Sequence, residues 1–277
     1  MKLDQLPEDC MARVLSFTTP RDTCQTSAVS SALHAAADSD LLWEKFLPPN
    51  YREILSRLVT PVEFKSRREL FGILCSPLLI DGGNKSFSID KSTSKKSYML
   101  SARELSITWG SNPLYWCWKP LLQSRFAEVA ELILIWWLEI HGNINTLMLS
   151  PNTKYGAYLI LKICDRAHGL DSIPSEVSVE VGDYHSKGMI CLKRPREDRI
   201  RPFVGGTRRI EVLRPSFSKE EEERVVRERR DGWLEIELGE FYNDGSEKEV
   251  KMSLREVKGE HLKGGIVVEG IEVRPKS

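Results

Sequence analysis

The chain has 277 residues, 40 of them basic and 40 acidic, and a formal net charge of zero. At ~100–200 residues per domain, this length suggests one large domain or two unequal ones. With 41% hydrophobic and 29% charged residues, the composition excludes collagen-like, disulfide-dense and wholly disordered chains, and the neutral total argues against wholesale binding to nucleic acid or to an anionic membrane.

The first 76 residues predict short helices with sharp stops. In Leu6-Pro7-Glu8-Asp9 a proline precedes two carboxylates that suit the positive end of a helix dipole. Met11, Val14 and Leu15 then fall on one stripe. Thr19 caps a second helix, with Pro20 at its first position and Asp22 three residues after the cap. A third carries Val29, Leu33 and Ala36, and Ser39 caps a fourth that holds Leu42, Trp43 and Phe46. Two more are expected over 51–58 and 62–75, punctuated by Pro48-Pro49-Asn50 and Thr60-Pro61.

After Ser76-Pro77 the pattern changes to short alternating or apolar segments between Gly, Asn, Asp and Ser turns: 86–89, 98–100, 105–109, 129–140, 157–164, 176–181, 189–192, 232–238, 249–254 and 265–273. Such a series predicts an antiparallel sandwich or jelly roll. The expected fold class is α+β multidomain: a small all-α module (1–47), a helical linker (48–76) and an antiparallel β-sandwich (77–277). Residues 194–230 read as a long excursion between strands, with a charged helix over 219–230. The neutral total conceals two opposite patches, since 193–230 carries 13 basic and 8 acidic residues and 231–277 carries 7 and 11.

Residues 1–9 contain no apolar run, so no secretory signal is read. The most apolar window, 129–140, contains Glu131 and Glu139 and falls short of the ~20 residues that span a bilayer. The six cysteines form no Cys-x-x-Cys pair and read as reduced thiols, so a protein of cytoplasm and nucleus is expected. The five histidines show no metal spacing, Gly205-Gly206-Thr207 and Gly264-Gly265 lack phosphate-loop context, and no Gly-x-Ser-x-Gly elbow occurs. Neither metal, cofactor nor catalysis is expected. The unusual segment is Trp109-Gly110-Ser111-Asn112-Pro113-Leu114-Tyr115-Trp116-Cys117-Trp118, with three tryptophans astride a turn. Indoles at a loop mouth stack on flat apolar surfaces such as the C–H face of a pyranose, at ~1 kcal/mol per pair. Carboxylates would accept from the sugar hydroxyls. Each tryptophan reads equally well as core.

Leu6-Pro7-Glu8-Asp9, Val14-Leu15-Ser16, Thr19-Pro20-Arg21-Asp22, Ala28-Val29-Ser30 and Asp40-Leu41-Leu42-Trp43 together resemble an F-box in order and spacing, departing from the usual pattern at Gln25 and Leu33-His34. So small a module buries too little surface for a complete core and would find the missing part on a partner. The resemblance implies that this partner is the S-phase-kinase-associated adaptor of a cullin-RING ubiquitin ligase. Leu6, Pro7, Leu15, Pro20 and Val29 are the docking candidates, by helix-in-groove packing.

A second series begins with residues 98–110, Tyr98-Met99-Leu100 through Trp109-Gly110, and continues through Tyr115-Trp116-Cys117-Trp118 and Arg125-Phe126-Ala127-Glu128. Asp231-Gly232-Trp233-Leu234 and Gly264-Gly265-Ile266-Val267-Val268-Glu269 close it. This series resembles the plant phloem protein two family, the Nictaba-related lectins, over roughly 98–276, and an F-box joined to such a domain is a known plant architecture. The resemblance implies a β-sandwich lectin for N-acetylglucosamine oligomers and N-glycan cores, with Trp109, Trp116, Glu249 and Glu256 binding the sugar. The whole chain then reads as a ligase receptor that catalyses nothing itself. Its partners would be the adaptor and a glycoprotein or protein target, with no nucleic acid and no membrane. The alternatives are an intracellular lectin without a ligase role and a receptor that recognises protein rather than sugar.

Overall fold

The computed structural model describes residues 6–192 and 224–276. Six helices come first: α1 (Glu8–Leu15), α2 (Pro20–Thr26), α3 (Ser31–Asp38), α4 (Asp40–Phe46), α5 (Tyr51–Ser56) and α6 (Arg67–Leu74). Their starts follow local chemistry. Pro7 precedes α1, whose first turn holds Glu8 and Asp9. The Thr19 side chain accepts from the Asp22 amide, Ser30 from Leu33 and Ser66 from Glu69, which satisfies amides that a helix start leaves unpaired. Ser39 departs from expectation, since it precedes α4 without a side-chain hydrogen bond. The helix expected over 62–75 is shorter, because the Ser66 cap sets its start.

Met11, Ala12 and Leu15 of α1 are buried with Leu33, Ala36 and Ala37 of α3. Trp43 of α4 donates its indole N–H to the Ala37 carbonyl at 2.7 Å. Its ring meets Phe71 of α6 at 5.1 Å, and Phe46 meets the same ring at 6.4 Å. The sixth helix thus supplies core that the first four lack.

Fourteen strands follow among the described residues: β1 (Leu78–Ile80), β2 (Lys85–Ile89), β3 (Lys96–Ser101), β4 (Ser106–Ile107), β5 (Trp116–Lys119), β6 (Val129–Leu132), β7 (Leu138–Asn145), β8 (Thr153–His168), β9 (Ser175–Val181), β10 (Tyr184–Ile190), β11 (Arg227–Glu228), β12 (Leu234–Asn243), β13 (Glu249–Glu256) and β14 (Gly264–Pro275). One sheet runs β1-β2-β3-β14-β8-β12-β11, with β6 joined to β14 and β5 to β6; the other runs β10-β9-β13-β7-β4. The ladders are antiparallel. The sheets pack face to face: a side chain at Gly142 of β7 would strike Ile271 of β14, and one at Gly239 of β12 would strike Val179 of β9.

Burial alternates along β7, as for a strand with one face on the core. By contrast β8 is buried almost throughout its first half. Its second face is covered by a separate cluster in which Phe126, Tyr158, Trp233 and Val267 meet, which accounts for the unbroken apolar run at 157–164.

Two expectations are corrected. The segment 129–140 is two strands in different sheets, with 133–137 crossing between them. Arg227 and Glu228, expected in a charged helix over 219–230, pair with Glu235 and Leu234 as strand, and no residue of 224–230 is helical; residues 219–223 and most of the expected excursion lie outside the described residues.

Candidate functional site

On the helical module the docking candidates divide. Val29 is 74% exposed, and Pro7 is exposed. Leu6 is half-buried against the core. Leu15 and Pro20 are buried within the module and present nothing to a partner. This is the correction: α1 and α2 already pack on α3, and α1 also on α4. Instead Val14 (51% exposed) and Phe17 (84%) stand outward. Met11 and Leu15, four apart, define the buried line of α1, and Val14 lies off it. Apolar side chains of α1 and of the turns after α1 and α2 therefore face solvent.

On the sandwich, Trp109 sits in a tight turn with a left-handed backbone, φ 54°. Gly110 N donates to the Ile107 carbonyl and Asn112 N to the Trp109 carbonyl, both at 2.9 Å. This geometry swings the Trp109 indole out, 45% exposed. It stacks on Trp137 at 6.3 Å between centroids and 15° between planes, and Tyr115 lies 5.1 Å away on it. Trp136 and Trp137, on the 133–137 crossing, are 49% and 51% exposed. Gly259, at φ +66°, lets the backbone close on Trp137, where an added side chain would lie 2.5 Å from the indole nitrogen. The result is a half-exposed aromatic platform at one end of the sandwich.

Trp116, expected beside Trp109 in a sugar site, is only 2% exposed. It opens β5, and its indole N–H donates inward to the Thr108 carbonyl at 3.0 Å. The adjoining Trp118 donates to the Gly110 carbonyl at 2.7 Å and lies under Arg103. These two tryptophans brace the turn that presents Trp109; Trp116 is enclosed, and Trp118 is half-buried with Arg103 on one face.

The carboxylates also separate. Glu249 is exposed and faces Asn145 across the ladder, whereas Glu256 faces Leu138. Seven residues at about 3.3 Å each put them roughly 23 Å apart. Only Glu256 lies at the platform end, and it is buried against Lys263, itself buried. The Lys263 ammonium also donates to the carbonyls of Trp136 (2.6 Å) and His261 (3.0 Å). Thus Glu256 holds the platform loops together from beneath and is not an acceptor for ligand. The carboxylate beside the platform is Glu139, which accepts from Arg255 at 3.0 Å and from the Thr108 hydroxyl at 3.3 Å.

Sequence reasoning missed Trp136, Trp137 and Glu139. The signal was present: adjacent residues on a strand point to opposite faces, so two consecutive tryptophans argue for a crossing rather than a continuous strand. Among the described residues no helix is long and apolar enough to cross a membrane. No group of three or more His, Cys, Asp or Glu there is placed to hold a metal.

Comparison with known proteins adds to this geometry. Residues 95–275 match the family model for phloem protein 2, and residues 3–48 match that for F-box-like domains. The chain is 49% identical to F-box protein PP2-B15 of Arabidopsis thaliana over 280 residues, spanning 98% of this chain and 96% of that one. It is 46% identical to F-box protein PP2-B13 of the same plant, spanning 98% of each. With F-box protein VBF, also from Arabidopsis thaliana, it shares 44% identity over 98% of this chain and 99% of the relative. With more than half its length under one family model and full-length relatives at this identity, the chain belongs to the phloem protein 2 family, among the members that carry an F-box-like module ahead of the sandwich.

Proposed function

We propose that this chain is the substrate-recruiting subunit of a cullin-RING ubiquitin ligase acting in cytoplasm and nucleus. The helical module docks on an S-phase-kinase-associated adaptor, and the sandwich holds the target. The observation that carries this reading is the outward placement of Val14, Phe17 and Val29 on a module whose own core is already filled. Single exposed apolar residues are ordinary, but several on neighbouring turns of one small unit mark a partner surface. The ubiquitin chemistry belongs to other subunits. This chain contributes proximity, which raises the effective concentration of the target beside the loaded enzyme.

The test is co-expression with a plant S-phase-kinase-associated adaptor and affinity capture. Wild type retains the adaptor. Phe17→Asp combined with Val29→Asp loses it with the melting temperature unchanged; equal capture by this variant refutes the assignment.

The target surface is the platform of Trp109 and Trp137. Two stacked, half-exposed indoles, with Glu139 alongside, leave an outer aromatic face that suits the apolar face of a pyranose and one of its hydroxyls, as in N-acetylglucosamine oligomers or an N-glycan core. A second reading is a protein target, favoured by the remoteness of Glu249 and the burial of Glu256, which leave the platform poor in acceptors. Retention on chitin-oligomer beads that Trp137→Ala abolishes supports the sugar. No signal on a glycan array supports the protein.

A further inference from the structure

The helical module and the sandwich meet around a cleft of about 590 Å³, within the ~300–1,000 Å³ typical of small-ligand sites. The turn between α1 and α2 and the connection between α4 and α5 form one wall. The β2–β3 turn, the β7–β8 connection and the end of β12 form the other. Its lining contains Lys45, Lys95 and Lys96 and no aspartate or glutamate, although basic and acidic residues balance over the chain. Hydroxyl side chains, among them Thr19, Ser94 and Ser150, supply most of the remaining polarity.

Lys96 is the informative residue. It is 6% exposed. Its backbone is locked on both sides: its amide donates to the Ser150 hydroxyl at 3.1 Å and its carbonyl accepts from the Tyr155 hydroxyl at 3.0 Å. The side chain has no ion pair or hydrogen bond among the described residues. Lys263, equally buried, is matched by a carboxylate and two carbonyls. Burial draws the Lys96 ammonium down to about 8 against a pull upward from Glu53, and Glu53 is itself engaged by Arg57 at 3.6 Å. At neutral pH Lys96 therefore keeps its proton while it lacks a counter-ion, an arrangement that proteins relieve by pairing. A second orphan lies beside it: Ser94 has a left-handed backbone, φ 61°, and a buried hydroxyl oxygen without a partner.

From this geometry we propose that the cleft is a binding site for a small molecule bearing phosphate, with Lys45, Lys95 and Lys96 neutralising its charge. Three ammonium groups and several hydroxyls match the many oxygens of a phosphate monoester or pyrophosphate, and lysine serves phosphate as a point charge. The half-enclosed shape favours a compact molecule over a peptide segment. A molecule seated there touches both units at once, so it would brace the helices against the sandwich and stiffen the path from adaptor to target. The site stands independently of the ligase reading.

The test uses the full chain and inorganic pyrophosphate at pH 7, with sodium chloride at matched ionic strength as control, read by thermal unfolding and calorimetry. At a hundredfold excess over Kd the melting temperature should rise by on the order of 5 °C. Lys96→Met should weaken binding at least ~10-fold. Its ligand-free melting temperature should not fall, because methionine fills the same space and removes a buried unpaired charge. Lys45→Ala with Lys95→Ala, both at less buried positions, should weaken binding as well and decides the matter if Lys96→Met fails to fold. Lys187→Ala, on the surface of β10, should leave it unchanged. The proposal is overturned by a pyrophosphate shift no larger than that of chloride, by equal affinity in the lysine variants, or by binding of a phosphoserine peptide without binding of pyrophosphate.

Discussion

Removing Glu256 from the buried pair beneath the aromatic platform separates a structural role from a ligand role. In Glu256→Leu the Lys263 ammonium stays buried against the Trp136 and His261 carbonyls, and the Lys258 amide loses the acceptor it meets at 3.0 Å. Breaking a buried pair from one side costs about 3–5 kcal/mol, and Lys263→Met should cost about as much by stranding the carboxylate. At roughly 2–4 °C per kcal/mol for a domain of about 200 residues, each single change lowers the melting temperature by ~6–20 °C. In the double variant no charge remains buried, and the residual cost is three unpaired backbone groups at about 1 kcal/mol each. The singles would sum to ~6–10 kcal/mol against ~3 for the double, a coupling of at least ~3 kcal/mol. Urea unfolding of the four proteins, followed by the fluorescence of the platform tryptophans, measures the cycle. Additive singles refute the pairing. A Glu256→Leu protein that melts like wild type but loses chitin-oligomer retention would return Glu256 to the ligand.

Three further outcomes are expected. Trp116→Ala should cost about 3–5 kcal/mol as a fully buried aromatic, while Trp109→Ala should change stability by less than about 1 kcal/mol; equal costs in urea titrations would contradict their placement. Gly270→Ala should prevent folding of the large sheet, because its new carbon would lie 1.9 Å from the Leu100 carbonyl oxygen, and a soluble, cooperatively melting variant would contradict that approach of β14 to β3. The Lys96 ammonium, held near 8 when folded against an ordinary 10.5, penalises the folded state while it is protonated, and the penalty lifts as pH rises from about 8 toward 10.5. Wild type should therefore gain about 2 kcal/mol on Lys96→Met between pH 7 and 9.5, at about 1.36 kcal/mol per unit. Comparison with the variant cancels the opposing effect of Cys75, raised by burial to about 11, and a difference that stays flat or falls with pH refutes the account.

Local chemistry was the legible part. Thr19 caps its helix through a bond within three residues as read, whereas Ser39 makes no such bond and the caps Ser30 and Ser66 went unread; the alternation along 249–254 is a property of the segment itself. The two-sheet antiparallel architecture after the helices followed from the same signals. What escaped depends on partners distant in sequence. Leu15 and Pro20 read as docking residues because the short helices of 1–47 do not reveal from their order alone how closely α1 and α2 pack on α3. Trp116 read as a loop-tip aromatic because the turn around Gly110 is legible, whereas the inward bond of its indole to Thr108 is not. Glu256 carries no mark of burial in its own segment; only the return of Lys263 beneath Trp136 makes it structural. Glu249 and Glu256 share a strand, seven residues apart, an odd spacing that puts them on opposite faces, but the segment alone does not tell which end meets the platform.

The position of β14 has a consequence for the order in which the molecule is made. Gly264–Pro275 pairs with β3, β6 and β8, so the large sheet lacks its middle until the last of its strands has left the ribosome. The helical module, whose contacts are short in sequence, is complete some 190 residues earlier. At about 5–20 residues per second the interval is ~10–40 s, against folding in microseconds to milliseconds for helical units of low contact order. During synthesis the nascent chain therefore presents Phe17 and Val29 on a finished module while its sandwich is still an open sheet. Whatever binds the helices has tens of seconds of access before the other end of the molecule can recognise anything.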